Sequence, residues 1–173
     1  MRRRYSRESD WSIVERVREQ VPGITLSTDL IVGFPGETAE DFEQTLSLVQ
    51  SVGYHSIFSF KYSERPNTLA SKRYADDVPE AEKTRRIVEL QALQRDIQLA
   101  LHQSAVGQTF KVLIDSGSRR RESELSGRTS GNTVVNLPGP REWIGRTIPV
   151  TIGRAGPNSL WGEPAPTPPA TSA

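Results

Sequence analysis

Cysteine is absent from all 173 residues. That removes disulfides, thiolate nucleophiles, cysteine-ligated zinc and ordinary iron-sulfur clusters from anything the chain does by itself. The two histidines, His55 and His102, stand far apart in sequence, so no autonomous metal site is expected. No apolar run approaches the roughly 20 residues of a membrane-spanning helix. The basic start from Met1 to Arg4 leads into charged sequence rather than the apolar core of a signal peptide. These absences predict a cytoplasmic protein with no membrane partner.

Net charge is also nearly missing, with 22 Lys and Arg against 21 Asp and Glu, but its distribution is uneven. Residues 1–106 carry 14 basic against 16 acidic side chains, whereas residues 107–163 carry 8 against 5. The second segment is therefore mildly basic, which is compatible with RNA contact. A content of 35% hydrophobic and 25% charged residues places the chain among globular proteins, with room for one domain or two small ones.

Ser9 or Asp10 can cap a first helix with Ile13, Val14 and Val17 on its apolar side, stopped by Val21-Pro22-Gly23. Residues 24–34 then run almost continuously apolar and β-branched, the pattern of a parallel strand covered on both faces. Pro35-Gly36-Glu37 ends the strand, and Thr38 to Asp41 forms a capping-box-like start with acidic residues suited to a helix amino terminus. Phe42, Leu46 and Val49, with Leu48 and Val52 beside them, give that helix one apolar face up to Gly53. Residues 57–62 alternate as a second strand, completing a β-α-β unit whose crossover should be right-handed. Two strands do not finish a parallel sheet, so the segment reads as truncated at its front.

Pro79 and Glu80 open a long helix, about residues 79–105, in which Ile87, Leu90, Leu93, Ile97 and Leu101 face inward. Lys83, Arg85, Arg86 and Arg95 are expected on the solvated side. Beyond Gly107 come short β-rich stretches at 109–114, 124–128, 133–137 and 147–152, separated by turn residues. Closing them into a small barrel over residues 107–163 would remove their exposed edges. The tail, 164–173, holds only Pro, Ala, Thr and Ser and is expected to be disordered. The fold class is thus α/β plus all-β, with domains at 1–106 and 107–163.

Two places invite chemistry. Gly33-Phe34-Pro35-Gly36-Glu37 falls at the carboxyl end of a parallel strand, where ligands sit in α/β sheets. Gly33 and Gly36 either let backbone approach a cofactor or merely shape the turn. Asp29, a carboxylate inside an apolar strand, needs a partner or a polar cavity. An ion pair, with Arg3 or Arg4 as possible bases, and an active-site role both stay open.

Met1-Arg2-Arg3-Arg4-Tyr5-Ser6, the stretch Leu26 to Thr38, Asp41-Phe42 and Tyr62-Ser63-Glu64-Arg65-Pro66 together resemble the radical S-adenosylmethionine methylthiotransferase family. Arg65-Pro66 and Val134-Val135-Asn136-Leu137-Pro138-Gly139 are most similar to its tRNA-acting bacterial branch, with the ribosomal-protein branch as the nearer rival. Gly107-Gln108-Thr109, Leu125 to Thr129, Asn132, Ile144-Gly145 and Leu160-Trp161-Gly162 look like a TRAM domain, which in that family binds RNA.

The resemblance implies the closing part of a TIM-like radical S-adenosylmethionine barrel followed by an OB-like TRAM barrel. The function it implies is addition of a 2-methylthio group to N6-isopentenyladenosine next to the anticodon of tRNA. S-adenosylmethionine would meet Arg3, Asp29 and Gly33, while Lys111, Arg128 and Arg154 would contact RNA phosphates. The family's two 4Fe-4S clusters have no ligands in this chain, so a preceding part of the same enzyme is an expected partner and catalysis by the chain alone is not expected. Met1 stands where the family has an internal methionine, which suggests a start assigned within a longer frame. Asn67 replaces the family's usual glycine, and asparagine tolerates the left-handed conformation such a turn requires. The lack of cysteine keeps a non-enzymatic RNA-binding module as the alternative.

Overall fold

The computed structural model describes residues 6–117 and 124–165. The chain divides into two compact units, Met1–Gln98 and Leu99–Ala173. In the first, helix α1 spans Arg7–Gln20 and is capped by Ser6, not by Ser9 or Asp10. Ser6 Oγ accepts from the Ser9 amide and Ser9 Oγ accepts from the Ser6 amide, so two otherwise orphaned N–H groups satisfy each other. Val14 and Val17 are half-buried, whereas Ile13 stays exposed.

Strand β1, Ser27–Val32, pairs in parallel with β2, Ser56–Lys61, from Ser27↔Ser56 to Val32↔Lys61. Helix α2, Ala39–Val52, connects them. Thr38 and Asp41 form its capping box, and Gly53 ends it at φ +60°, the left-handed turn for which glycine has no steric penalty. A short helix α3, Leu69–Arg73, and the long helix α4, Glu80–Ser104, follow. Val32, Phe42, Val49 and Leu90 form the buried core, flanked by Leu30, Leu46, Ile57, Ile87, Leu93 and Ile97.

One sequence expectation is corrected here. The near-continuous apolar run predicted coverage of both faces of β1, but only one is covered. Leu30 and Val32 turn into the core, while Asp29 and Ile31 line the opposite face with Phe58 and Phe60, which are 61% and 54% exposed. Side chains alternate along a strand, so the second set needs a second layer, and the described residues of this unit supply none. The α/β part is the single β-α-β unit expected from the sequence, with its helices, and no α/β barrel closes among the described residues.

The second unit is a closed barrel of β3 Thr109–Gly117, β4 Glu124–Thr129, β5 Val134–Pro138, β6 Thr147–Ala155 and β7 Leu160–Pro164, in the order β3-β4-β5-β7-β6. All neighbours are antiparallel except β5 and β7, which run parallel through Val135↔Leu160 and Asn136↔Trp161. Val112, Ile114, Leu125, Val135, Leu137, Val150, Ile152 and Leu160 fill the interior. Gly127 and Gly162 also point inward. A Cβ on either would lie 2.5 Å from a backbone carbonyl oxygen of the neighbouring strand, Leu113 O or Thr151 O, so the wall closes only where no side chain intervenes.

β7 is a strand the sequence reading did not pick out. It carries the barrel past the expected limit, since Pro164 pairs with Val150 and the Ala165 amide donates to Pro149 O at 2.9 Å. The expected tail boundary at 164 is therefore too early, because closure needs those residues as partners for β6. Residues 166–173 lie outside the described ones.

Candidate functional site

On the uncovered face of the β1–β2 pair lies a hollow of about 840 Å³, walled by Asp29, Ile31, Phe34, Phe60 and Tyr62 and by the stretch that follows β2, including Arg65, Leu69, Arg73 and Tyr74. Phe34 braces two of these rings edge-on, Tyr62 at 5.1 Å and Tyr74 at 6.4 Å between centroids. Asn67 shapes the turn after Pro66 at φ +66°, as its tolerance of that conformation predicts. Asp29 is exposed in the hollow, and no base pairs with it among the described residues. Its supposed burial cost does not arise, because alternation puts it on the open face. Arg3 lies outside the described residues.

The loop from Gly33 to Glu37 is clamped to α4. Gly33 stands at φ +70°, and its amide donates to the Glu37 carboxylate. Glu37 also accepts from Arg86 Nη1 at 2.6 Å, with the two side chains 12% and 6% exposed. The Gly36 amide donates to Asp77 Oδ1 at 2.8 Å. Lys83 Nζ reaches Asp76 at 2.6 Å and sits 5.4 Å from the Tyr62 ring centroid. A Cβ on Gly33 would come within 2.4 Å of Lys83 Cγ. Gly33 thus faces the aliphatic stem of Lys83, whereas its neighbour Phe34 lines the hollow.

Lys83 and Arg86 are buried, not on the solvated side of α4 as expected. Burial alone disfavours the charge of Arg86, but hydrogen bonds to Glu37 and Glu82 outweigh it and hold its pKa above the ordinary value. The signal was present in the spacing. Positions 83, 86, 90 and 94 recur every three or four residues, so the two cations share the face of buried Leu90.

On the barrel, outward positions alternate with the core. Lys111 is exposed on β3 and faces Pro149 of β6. Arg128 on β4 is half-engaged, donating to Asn132 Oδ1 at 2.9 Å and lying 3.6 Å from Asp115 Oδ2. Asn132 shapes the turn between β4 and β5 at φ +62°. Arg154 on β6 pairs with Trp161 of β7 and lies 5.8 Å from its ring, a cation–π arrangement. Lys111 and Arg128 flank exposed Leu113, and Arg154 lies further along β6, the strand that pairs with β3 on its other side. Sequence reasoning missed Trp161 as a surface group; its placement one residue from buried Leu160 and Gly162 turns it outward.

No helix among the described residues is long and apolar enough to cross a membrane. None of the described Asp, Glu and His residues form a cluster able to hold a metal ion.

Residues 103–165 match the TRAM domain. The chain is 46% identical over 160 residues to the tRNA-2-methylthio-N(6)-dimethylallyladenosine synthase of Bordetella petrii, an overlap of 92% of this chain and 33% of that protein. It is 48% identical over 153 residues to the protein of the same name from Halorhodospira halophila, covering 88% and 32%. With that of Azobacteroides pseudotrichonymphae it shares 43% over 164 residues, covering 95% and 36%. The chain therefore spans about a third of the length of the curated relatives it matches. Over that third, TRAM domain included, the chain is similar to proteins named as tRNA methylthiotransferases.

Proposed function

We propose that this chain is the RNA-engaging part of a tRNA methylthiotransferase, and that the whole enzyme adds a 2-methylthio group to N6-isopentenyladenosine beside the anticodon. The observation that carries this is the TRAM-matched barrel with Lys111, Arg128 and Arg154 all directed outward. Phosphate oxygens are met by such side chains whatever the base sequence, so the barrel would set the register of the tRNA rather than read it. Of the three, Arg128 is partly committed to Asp115 and Asn132. Lys111 and Arg154 are the freer contacts, with the Trp161 ring offering a base a stacking surface. On this reading the protein works in the cytoplasm, where tRNA is.

In the first unit, S-adenosylmethionine would meet Asp29, with Phe34 of the Gly33 turn lining the same hollow; the proposed contact from Arg3 lies outside the described residues. The unpaired Asp29 carboxylate suits the cationic groups of that cofactor, and the apolar walls of the hollow suit its adenosyl part. When bound, the cofactor supplies the methyl group and the radical chemistry of the family. The chain's own residues bind and orient. Gly33 to Glu37 is held rigid by Arg86 and Asp77, so its backbone presents a fixed edge. The 4Fe-4S clusters implied by the family do not fit these residues, because the sequence has no thiolate. That same absence favours one other reading, an RNA-binding module without catalysis of its own.

The proposal is tested by titrating the chain with a tRNA transcript at several salt concentrations. Lys111→Ala and Arg154→Ala should each weaken binding and lower the salt slope by about one unit, without changing the melt. Unchanged affinity in both variants would remove the barrel from the RNA contact.

A further inference from the structure

Asp115 takes its position from an irregularity in the barrel wall. Along β3 the outward positions are Thr109, Lys111 and Leu113, and the ladder with β4 runs in step from Val112↔Thr129 to Ile114↔Gly127. It then slips, because the next pair is Ser116↔Ser126, which leaves Asp115 as the extra residue of a β-bulge. A bulge re-aims the side chain it carries. Here it brings a carboxylate diagonally across to Arg128, whose own cross-strand neighbour is Leu113, with Asp115 Oδ2 3.6 Å from Arg128 Nε. From its far end Arg128 Nη1 donates to Asn132 Oδ1 at 2.9 Å and to Asn132 O at 3.3 Å. The charge pair does little for the fold. Its side chains are 50% and 43% exposed, and ion pairs so placed contribute almost nothing to stability. At 3.6 Å the contact is a pairing of charges rather than a close hydrogen bond, so a better acceptor can displace it. The Nε–H of a guanidinium is one prong of the fork that grips a phosphate through two parallel donors. Asp115 therefore stands where a phosphate oxygen would.

We infer that Asp115 is a built-in competitor of RNA for Arg128, a carboxylate that occupies the guanidinium until a phosphate displaces it. The inference rests on the proposal that the barrel meets tRNA phosphates, and concerns how tightly it holds them. An incoming phosphate has to evict a charge of its own sign, which lowers the affinity for any RNA that uses Arg128. Weak holding suits a barrel that sets the register of a tRNA and then has to let the finished molecule go. Asn132, a neutral partner, keeps the guanidinium in place while the acid is exchanged for the phosphate.

The test uses the full chain and a labelled RNA hairpin, its affinity followed by fluorescence anisotropy across potassium chloride concentrations. Asp115→Asn should bind about fivefold more tightly, the effect of removing one unit charge about 4 Å from a phosphate in water. The slope of log affinity against log salt should steepen by about one unit, as Arg128 becomes a full phosphate contact. Asp115→Ser, which offers the guanidinium no amide, should show the same gain, and the thermal melts of both should stay with wild type. In an Arg128→Gln background the gain should vanish, because the competitor then has nothing to compete for. A gain that persists there would overturn the inference and reduce Asp115 to general repulsion of RNA. Weaker binding by both Asp115 variants would also overturn it, making the acid a positioning partner of Arg128. Unchanged affinity in both, with Lys111→Ala still weakening it, would sink the competitor and leave the barrel proposal standing. No RNA binding by the wild-type chain would defeat both proposals together.

Discussion

Arg86 is a cation almost entirely out of water, tolerated because Glu37 and Glu82 stand on either side of it at 2.6 and 2.8 Å. Removing one partner of a buried pair leaves the other charge uncompensated, which costs more than the pair itself contributes. Arg86→Met should therefore destabilise the first unit by about 3 kcal/mol, measured as a shift in urea midpoint. Adding Glu37→Gln should recover part of the loss, because the stranded carboxylate is then gone. A double variant no better than Arg86→Met would show that the packing of the guanidinium stem on Phe42, 5.5 Å from its ring, matters more than its charge. Gly162 makes the corresponding point on the barrel. Gly162→Ala puts a methyl 2.5 Å from Thr151 O, a clash that calls for about 1–3 kcal/mol and a lower melting temperature for the second unit. An unchanged melt would mean the β6–β7 pairing yields to make room.

At the scale of elements, α4 begins with a cluster of ion pairs whose acid is Glu82. Hydrogen bonds from Arg85 and then Arg86 lower its pKa from 4.5 to about 2. The folded value is the lower one, so the stabilisation is fully present above about pH 4.5 and is lost as pH falls toward 2. Melts recorded between pH 5 and pH 2 should fall less steeply for Glu82→Gln than for wild type, and parallel curves would contradict the assignment. The elements themselves differed in how plainly the sequence announced them. Thr38 with Asp41 and the stop at Gly53 bounded α2 correctly, because caps are local and depend on a few neighbouring side chains. The burial of Lys83 and Arg86 was encoded only as spacing, and the sign of those residues masked it until their partners on the Gly33–Glu37 loop and at Asp76 were located. β7 was hidden for another reason. Leu160 to Pro164 is short and contains glycine and proline, and only its pairing with β5 and β6 makes it a strand. The hollow was legible in part: Asp29 stood out as a misplaced acid, whereas the residues after β2 join it on one wall only in the folded chain.

For the molecule as a whole, the missing thiolates set the first expectation. The purified chain, incubated with iron and sulfide under reducing conditions and then desalted, should retain no cluster. Near-stoichiometric iron with a charge-transfer band in the visible region would refute this. The net charge of +1 places little long-range field around the protein, so RNA affinity should depend on the local cations named above and fall with salt accordingly. The parallel seam between β5 and β7 has a further consequence, for biosynthesis. Because β7 inserts between β5 and β6, four strands can leave the ribosome and still be unable to seal the cylinder. Until Leu160–Pro164 emerges, β5 and β6 both present bare edges to the crowded cell, open to pairing with another nascent chain. Completion of the barrel is thus timed to translation of β7, and a stop codon placed before Leu160 would yield an adhesive product rather than a slightly shortened one.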